Sequence, residues 1–217
     1  MKNVLRMKVG EDVRINDGQG TTYLCCLNRY EKDQAVLDVF RKLDTETELP
    51  SEIILFQGLP KGDKMEWIVQ KSVELGAHKI VPFSAKRSVV KLDEKKAVKK
   101  QERWQRIAAE AAGQCGRGML PSVERPLSWS QALSRLSGEP ALVFYEGGGR
   151  PLRELVTPST RRLSVFVGPE GGFDPEEIDA IRRQGGGVAT LGPRILRCET
   201  APLAALTLLM HLSGNME

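Results

Sequence analysis

The stretch "LSVFVGPEGGFDPEEIDAIRRQGGGVATLG", residues 163–192, sets the architecture of this chain. "LSVFVG" (163–168) is rich in β-branched and aromatic residues, as a buried strand requires. The glycine-rich "GPEGGF" (168–173) turns the chain. Asp174 then stands where a helix N-cap belongs, with Pro175 at the first helical position, so "DPEEIDAIRRQ" predicts a helix. "GVATLG" (187–192) predicts the next strand. Such strand–helix–strand alternation predicts a mostly parallel sheet in an α/β fold.

The same alternation extends backwards. "IILFQ" (53–57) reads as a buried strand, and a helix over 64–75 is opened by Asp63 with Glu66 three residues later, a capping-box arrangement. Gly76 closes that helix and "KIVPF" (79–83) is the next strand. "ERWQRIAAEAA" places Trp104, Ile107, Ala108 and Ala111 on one helical face. "ALVFY" (141–145) is a further strand, and "TAPLAALTLLMHL" a final helix that is apolar nearly all round. Residues 49–217 therefore form the α/β domain. Residues 1–48 differ: "EDVRIND", "TTYLCCLNRY" and "QAVLDVFRKL" read as short strands, with Asp17-Gly18 and Gly20 as the hairpin signal. This is a small β module, joined to the rest by the charged "DTETELP" (44–50).

Composition is that of a soluble globular protein, with 41% hydrophobic and 28% charged residues. No apolar run is long enough to span a membrane, and the first residues have no secretory h-region. Cys25, Cys26, Cys115 and Cys198 form no C-x-x-C pair, and His78 and His211 have no ligand-type neighbours. No metal site is expected, and the cysteine usage fits the reducing cytoplasm. The net charge of +4 hides an asymmetry: residues 79–106 hold ten basic side chains against three acidic ones. That run is either a solvated helix face or a field for a polyanion, with nucleic acid the leading partner.

Ligands of open α/β sheets bind beyond the carboxyl ends of the strands. Three such ends are glycine-rich or glycine-led here: "YEGGG" (145–149), "GPEGGF" (168–173) and "LGPRILRCETA" (191–201). Neither the dinucleotide G-x-G-x-x-G pattern nor the Walker motif is present, and no lysine follows a glycine loop to grip a triphosphate. Backbone-rich loops with few cations suit a nucleoside-type cofactor, and the cationic S-adenosylmethionine fits. Residues alone lead as far as an RNA-associated α/β enzyme with a nucleoside cofactor.

The segments "KGDKMEWIVQKSVELG", "RWQRIAAEAAGQCGR", "VGPEGGF" and "LGPRILRCETA" together resemble the ribosomal RNA uridine N3-methyltransferases of the SPOUT superfamily. The resemblance covers nearly the whole chain from Val4 onward. It implies a PUA-like, RNA-binding β module followed by a trefoil-knotted α/β methyltransferase domain. It further implies a homodimer, S-adenosylmethionine as cofactor, and methyl transfer to N3 of one uridine in 16S ribosomal RNA of the small subunit. One departure is visible. The family carries a strand before the segment matching "VLRMKVGEDV", so the β module is expected to be N-terminally short. Two rival readings stay open: a knotted methyltransferase of another RNA, such as transfer RNA, and a non-enzymatic RNA-binding protein.

By that resemblance the cofactor lies against Glu146, Gly168, Gly172, Leu191, Gly192, Ile195, Leu196 and Arg197. For Ile195 and Leu196 plain core packing is the alternative. Removing the N3 proton of uracil calls for a carboxylate to accept it or a cation to stabilise the imide anion. Glu170 is the candidate base and Arg197 the candidate stabiliser. Glu170 could equally cap its turn, while Glu199 either orients Arg197, pairs with it structurally, or complements the last helix. Lys64, Lys71, Lys86, Arg87, Lys91, Arg103 and Arg117 are the candidate phosphate contacts. Trp67 shares a helix face with Lys71 and either stacks or packs.

Overall fold

The computed structural model describes residues 6–43, 47–48, 50–90, 92–136 and 138–216. Of the linker expected at 44–50, only Thr47, Glu48 and Pro50 are among them. Two compact units form: Met1–Glu48 with Ala112–Leu120, and Leu49–Ala111 with Pro121–Glu217. The return of 112–120 to the first unit is not announced by any sequence pattern.

The first unit is an antiparallel sheet of β1 (Asp12–Asn16), β2 (Thr22–Tyr30) and β3 (Ala35–Leu43), in that order. Its expected hairpin forms because the Asp17 carboxylate accepts the backbone N–H groups of Gln19 (2.7 Å) and Thr21 (3.0 Å). The returning segment is tied down at both ends of the turn. Gly20 N–H donates to the Gly118 carbonyl, and Leu120 N–H to that of Gly18, each at 3.0 Å. The β2–β3 ladder slips twice, between Leu24 and Cys25 and between Leu27 and Arg29. At the first slip Cys25 faces Val39 and Leu24 faces Arg41, so Phe40 stands opposite no residue. That is a one-residue bulge.

Arg117 corrects an expectation. It is only 8% exposed, and its guanidinium donates to the Glu48 carboxylate at 2.8 Å. A buried charge must be paired, because an unpaired one loses its hydration without return. Arg117 therefore braces this unit and is not presented to a phosphate.

The second unit contains β4 (Glu52–Gly58), α1 (Lys64–Glu74), β5 (Lys79–Ser84), α2 (Glu94–Cys115, whose last turn passes into the first unit), β6 (Ser122–Val123), β7 (Leu127–Ser128) and α3 (Trp129–Ser134). It continues with β8 (Ala141–Phe144), β9 (Arg150–Pro151), β10 (Arg162–Val167), α4 (Pro175–Arg183), β11 (Gly187–Thr190) and α5 (Ala201–Leu212). The sheet is parallel throughout and ordered β6-β5-β4-β10-β8-β11-β9, with β7 also on β5. β10 lies between β4 and β8, while β11 lies on the far side of β8. One face of the sheet is covered by α3 and α4: Ala132 of α3, Leu136 just after it, and Ile178 and Ile181 of α4 pack with Phe56, Phe83 and Phe166. The Phe56 and Phe166 rings stack at 4.3 Å. α1 and α5 pack together, and α5 packs on β4.

The two helix starts differ. α4 has the full capping box, Asp174 accepting from Glu176 N–H and Glu177 accepting from Asp174 N–H. α1 begins after Asp63, but no side-chain cap bond forms there. Its Glu66 is drawn instead to the Arg103 guanidinium at 2.7 Å. A charge-assisted bond is roughly twice as strong as a neutral one, so the capping box expected there is lost to the ion pair.

Candidate active site

The strands of this sheet run parallel, so the loops after β8, β10 and β11 gather at one edge of the second unit, with Lys64 at the start of α1 beside them. They enclose a cavity of about 470 Å³, within the size range of small-ligand sites. From the loop after β8 come Tyr145 and Glu146; from that after β10, Gly168, Glu170 and Gly172; from that after β11, Leu191, Gly192 and the run Arg194–Cys198. All eight residues expected at a cofactor, and both expected to act chemically, line this one cavity. Ile195 is 84% exposed, so core packing does not explain it.

Gly172 shows why glycine occupies this loop. Its φ is +63°, in the left-handed region, and a Cβ there would overlap the Glu146 carboxylate. The carboxylate of one loop thus rests against the bare backbone of another. Gly171 is similarly close to Arg87, whose Cβ and carbonyl oxygen would stand 3.0 Å from an added Cβ. Arg87 accordingly abuts the glycine loop from outside.

The floor is ionic. Lys64, expected at a phosphate, lines the cavity instead, its ammonium 3.0 Å from Glu199 and 3.3 Å from Glu170. It also lies 3.6 Å from the Cys198 sulfur, whose thiol donates to Glu199 at 3.2 Å. The thiol of Cys198 and the ammonium of Lys64 pull the Glu199 carboxyl down to about 2. Glu199 therefore answers to Lys64, and the expected pair with Arg197 does not form. Burial and the flanking carboxylates push the Cys198 thiol up to about 12, so it stays protonated. Hydrogen bonding to Glu199 raises Lys64 further above its ordinary value.

Burial alone would raise Glu170, but the N–H groups of Glu170 itself and Lys61, the Cys198 thiol and Lys64 together hold its carboxyl below the usual range. It is an ionised, occupied carboxylate. Arg194 and Arg197 contrast with it: both are exposed on the loop after β11 and neither side chain has a partner among the described residues.

The remaining candidate phosphate contacts are largely engaged. Lys71 pairs with Glu74 (2.8 Å), Lys86 with Glu176 (2.9 Å) and Asp174 (3.4 Å), Arg87 with Asp174 (3.6 Å) and Arg103 with Glu66 (2.7 Å). Lys91 lies outside the described residues. Trp67 is 45% exposed on α1. Tyr145, Thr190 and Ala201 line the cavity without having been singled out by the sequence. Among the described residues no cluster of His, Cys, Asp or Glu could hold a metal ion, and no helix is long and apolar enough to cross a membrane.

Comparison with known proteins gives two family matches: an RNA methyltransferase PUA domain over residues 1–40 and an RNA methyltransferase domain over 47–210. Ribosomal RNA small subunit methyltransferase E of Bacillus subtilis is 42% identical, the match spanning 96% of this chain and 85% of that protein. Among solved structures, a ribosomal RNA small subunit methyltransferase E from Neisseria gonorrhoeae bound to S-adenosyl methionine superposes with a TM-score of 0.90 at 35% identity, covering 97% of this chain and 87% of that one. A putative methyltransferase from Legionella pneumophila, in complex with bound SAM, gives 0.88 at 33% identity, covering 97% and 86%.

Proposed function

The chain belongs to the ribosomal RNA small subunit methyltransferase E family, and from that premise we propose that it transfers the methyl group of S-adenosylmethionine to N3 of a uridine in 16S ribosomal RNA. The observation that carries the reading is the cavity at the carboxyl edge, walled by three strand-end loops. Its features fit the cofactor. Leu191 and Leu196 offer apolar walls, backbone approaches closely at Gly168 and Gly172, and Glu146 and Glu170 bring negative charge suited to a sulfonium. When bound, S-adenosylmethionine supplies an electrophilic methyl carbon.

The protein's own task is to ready the uracil. An imide N–H is a weak acid, so its nitrogen becomes a nucleophile only as the proton leaves. Glu170, ionised and already accepting from Lys61 and Lys64, is a poor acceptor for that proton. We therefore assign to Arg197 the stabilisation of charge on the imide oxygens, which lowers the acidity barrier enough for water to take the proton. Glu170 and Glu199 act by fixing Lys64, and with it the loops that carry them. Ribosomal RNA phosphates would meet the unpaired Arg194 on the same rim and the run on α2, where Lys95 and Lys99 have no ion-pair partner among the described residues.

A homodimer acting in the cytoplasm completes the reading. Its support is apolar surface left open on packed neighbours: Trp67 on α1 and Leu208 on α5, with Ile195 exposed at the cavity rim. The test of the function is nucleoside mass spectrometry after incubation of a 16S ribosomal RNA transcript with the protein and isotopically labelled S-adenosylmethionine. Labelled 3-methyluridine is expected. Label on a ribose, or on transfer RNA alone, would overturn the assignment.

A further inference from the structure

We infer that Glu146 is the general base of the reaction, drawing the N3 proton of the target uridine through the water that receives it. Glu146 lies two residues past β8, in a tight turn closed by Gly148 N–H donating to the Tyr145 carbonyl at 3.3 Å. The ring of Tyr145 stands so close to Gly147 that a Cβ there would overlap it. Glycine at 147 thus lets the chain turn directly beside the ring, and Glu146 reaches across to the bare backbone of Gly172. Its carboxylate has no hydrogen-bond or ion-pair partner among the described residues.

No other group of the lining is as well placed to take a proton. Lys64, Tyr145, Glu170, Arg194, Arg197 and Cys198 are its remaining titratable or charged side chains. Glu170 is held by the Lys61 N–H at 3.1 Å and the Lys64 ammonium at 3.3 Å. The Cys198 thiol, pushed up to about 12, keeps its proton and donates it to Glu199 in a hydrogen bond. Arg194 and Arg197 are permanent cations, and the phenol of Tyr145 is a far weaker proton acceptor than a carboxylate.

The charges left unpaired match the substrate. β8 and β11 are neighbours, with Phe144 in register with Ala189, so the loops carrying Glu146 and Arg197 stand side by side. A carboxylate and a guanidinium in one cavity ordinarily pair, yet here neither has a partner among the described residues. The N3 edge of uracil is an N–H donor between two carbonyl acceptors, so it offers its proton to one charge and an oxygen to the other. The N3–H bond breaks with its electron pair left on N3, where that pair forms the new bond to the methyl carbon. The proton passes to the water, which yields one of its own to Glu146, and the carboxylate becomes a neutral carboxyl. One carboxylate oxygen serves this purpose, and the other stays free for a donor of the cofactor.

The inference rests on the uridine reading above, and its failure is distinguishable from the failure of that reading. Single-turnover methyl transfer to the 16S transcript, at saturating S-adenosylmethionine, should fall about 10²- to 10⁴-fold in Glu146→Gln, the usual range for a general base. Melting curves should match, because Glu146 is exposed and unpaired. Once Glu146 is ionised the wild-type rate should be level with pH, whereas that of Glu146→Gln should climb about tenfold per pH unit, with hydroxide as the remaining base. A transcript made with 5-fluorouridine, whose imide is more acidic, should recover much of the rate lost in Glu146→Gln. Without cofactor, fluorescence anisotropy should show wild type binding the transcript about tenfold more tightly before methylation than after it. Glu146→Ala should bind both forms equally, because the N3–H then has no carboxylate to reach. A Glu146→Gln protein with the wild-type rate and pH profile overturns this role alone. Loss confined to S-adenosylmethionine affinity, with a normal rate at saturation, would make Glu146 a cofactor contact and overturn the role equally. Wild-type protein that forms no 3-methyluridine overturns the uridine reading as well.

Discussion

Replacing Gly172 by alanine separates two effects that a single activity assay would merge. At φ +63° an L-residue is strained, which costs about 1–2 kcal/mol. For a chain of this size each kcal/mol lowers the melting temperature by roughly 2–4 °C, so a loss of about 2–8 °C is expected. The new Cβ would also land on the Glu146 carboxylate. That group is the free end of a flexible, exposed side chain, so moving it costs the fold little, yet it vacates its place in the cavity. If the carboxylate makes one charge-assisted hydrogen bond to the cofactor, losing it is worth about 1.5–3 kcal/mol, or roughly 10- to 150-fold in Kd. Gly185 is the matched control, with φ +82° and open space around its Cβ position. Gly185→Ala should melt lower by a similar amount and bind S-adenosylmethionine normally. Calorimetry at 25 °C on both variants, with melting curves alongside, decides the matter. Equal and undiminished cofactor affinity in the two would refute the reasoning.

Arg197→Ala should retain melting temperature and cofactor affinity while single-turnover methyl transfer falls ~10²-fold, the usual loss for one oxyanion-type donor; Arg197→Lys should recover only part, lacking the planar fork. Because the folded Glu199 pKa, about 2, lies below its ordinary 4.5, its contribution to stability is complete above about pH 4.5 and is lost as pH falls towards 2. Acid unfolding followed by tryptophan fluorescence should therefore be less steep over that window in Glu199→Gln. Lys64 has the opposite sign: its contribution is complete below its ordinary 10.5 and is lost only as pH rises through its higher folded value. For RNA, Lys95→Glu with Lys99→Glu should reduce the slope of log K against log salt by about 1.4–1.8, two phosphates' worth; an unchanged slope would leave that run a solubilising face. Sedimentation velocity should give a dimer at micromolar concentration, and Trp67→Glu with Leu208→Glu should shift it to monomer.

What the sequence revealed was what is local. The loops at 145–149 and 168–173 are recognisable because glycines cluster beside β-type runs, that at 191–201 because Gly192-Pro193 follows one, and the cap of α4 because Asp174, Pro175 and Glu177 stand within four positions. The partner of Glu199 was hidden because Lys64 stands 135 positions earlier and only the sheet brings them together. Asp63 and Glu66 had the right spacing for a capping box, but spacing carries no information about Arg103, which captures the glutamate. Arg117 looked like a surface cation because nothing nearby in the chain announces Glu48 as its counter-ion. β6, β7 and β9 are two residues each, too short to carry a period.

The position of β10 has a consequence in time. Its Arg162–Val167 pair with Glu52–Gln57 of β4, strands separated by about 110 residues of chain. As the polypeptide leaves a ribosome, β4 can join β5 early, but its other edge stays open until β10 has been made. An apolar strand with an unsatisfied edge is a template for pairing with other chains. β4, with Ile53, Ile54, Leu55 and Phe56, is such a strand while about half of the chain is being made. Closing it late and over so long a loop makes parallel pairing slow. Residues 52–58 of a nascent chain thus keep one edge open to such pairing until β10 arrives to cover it.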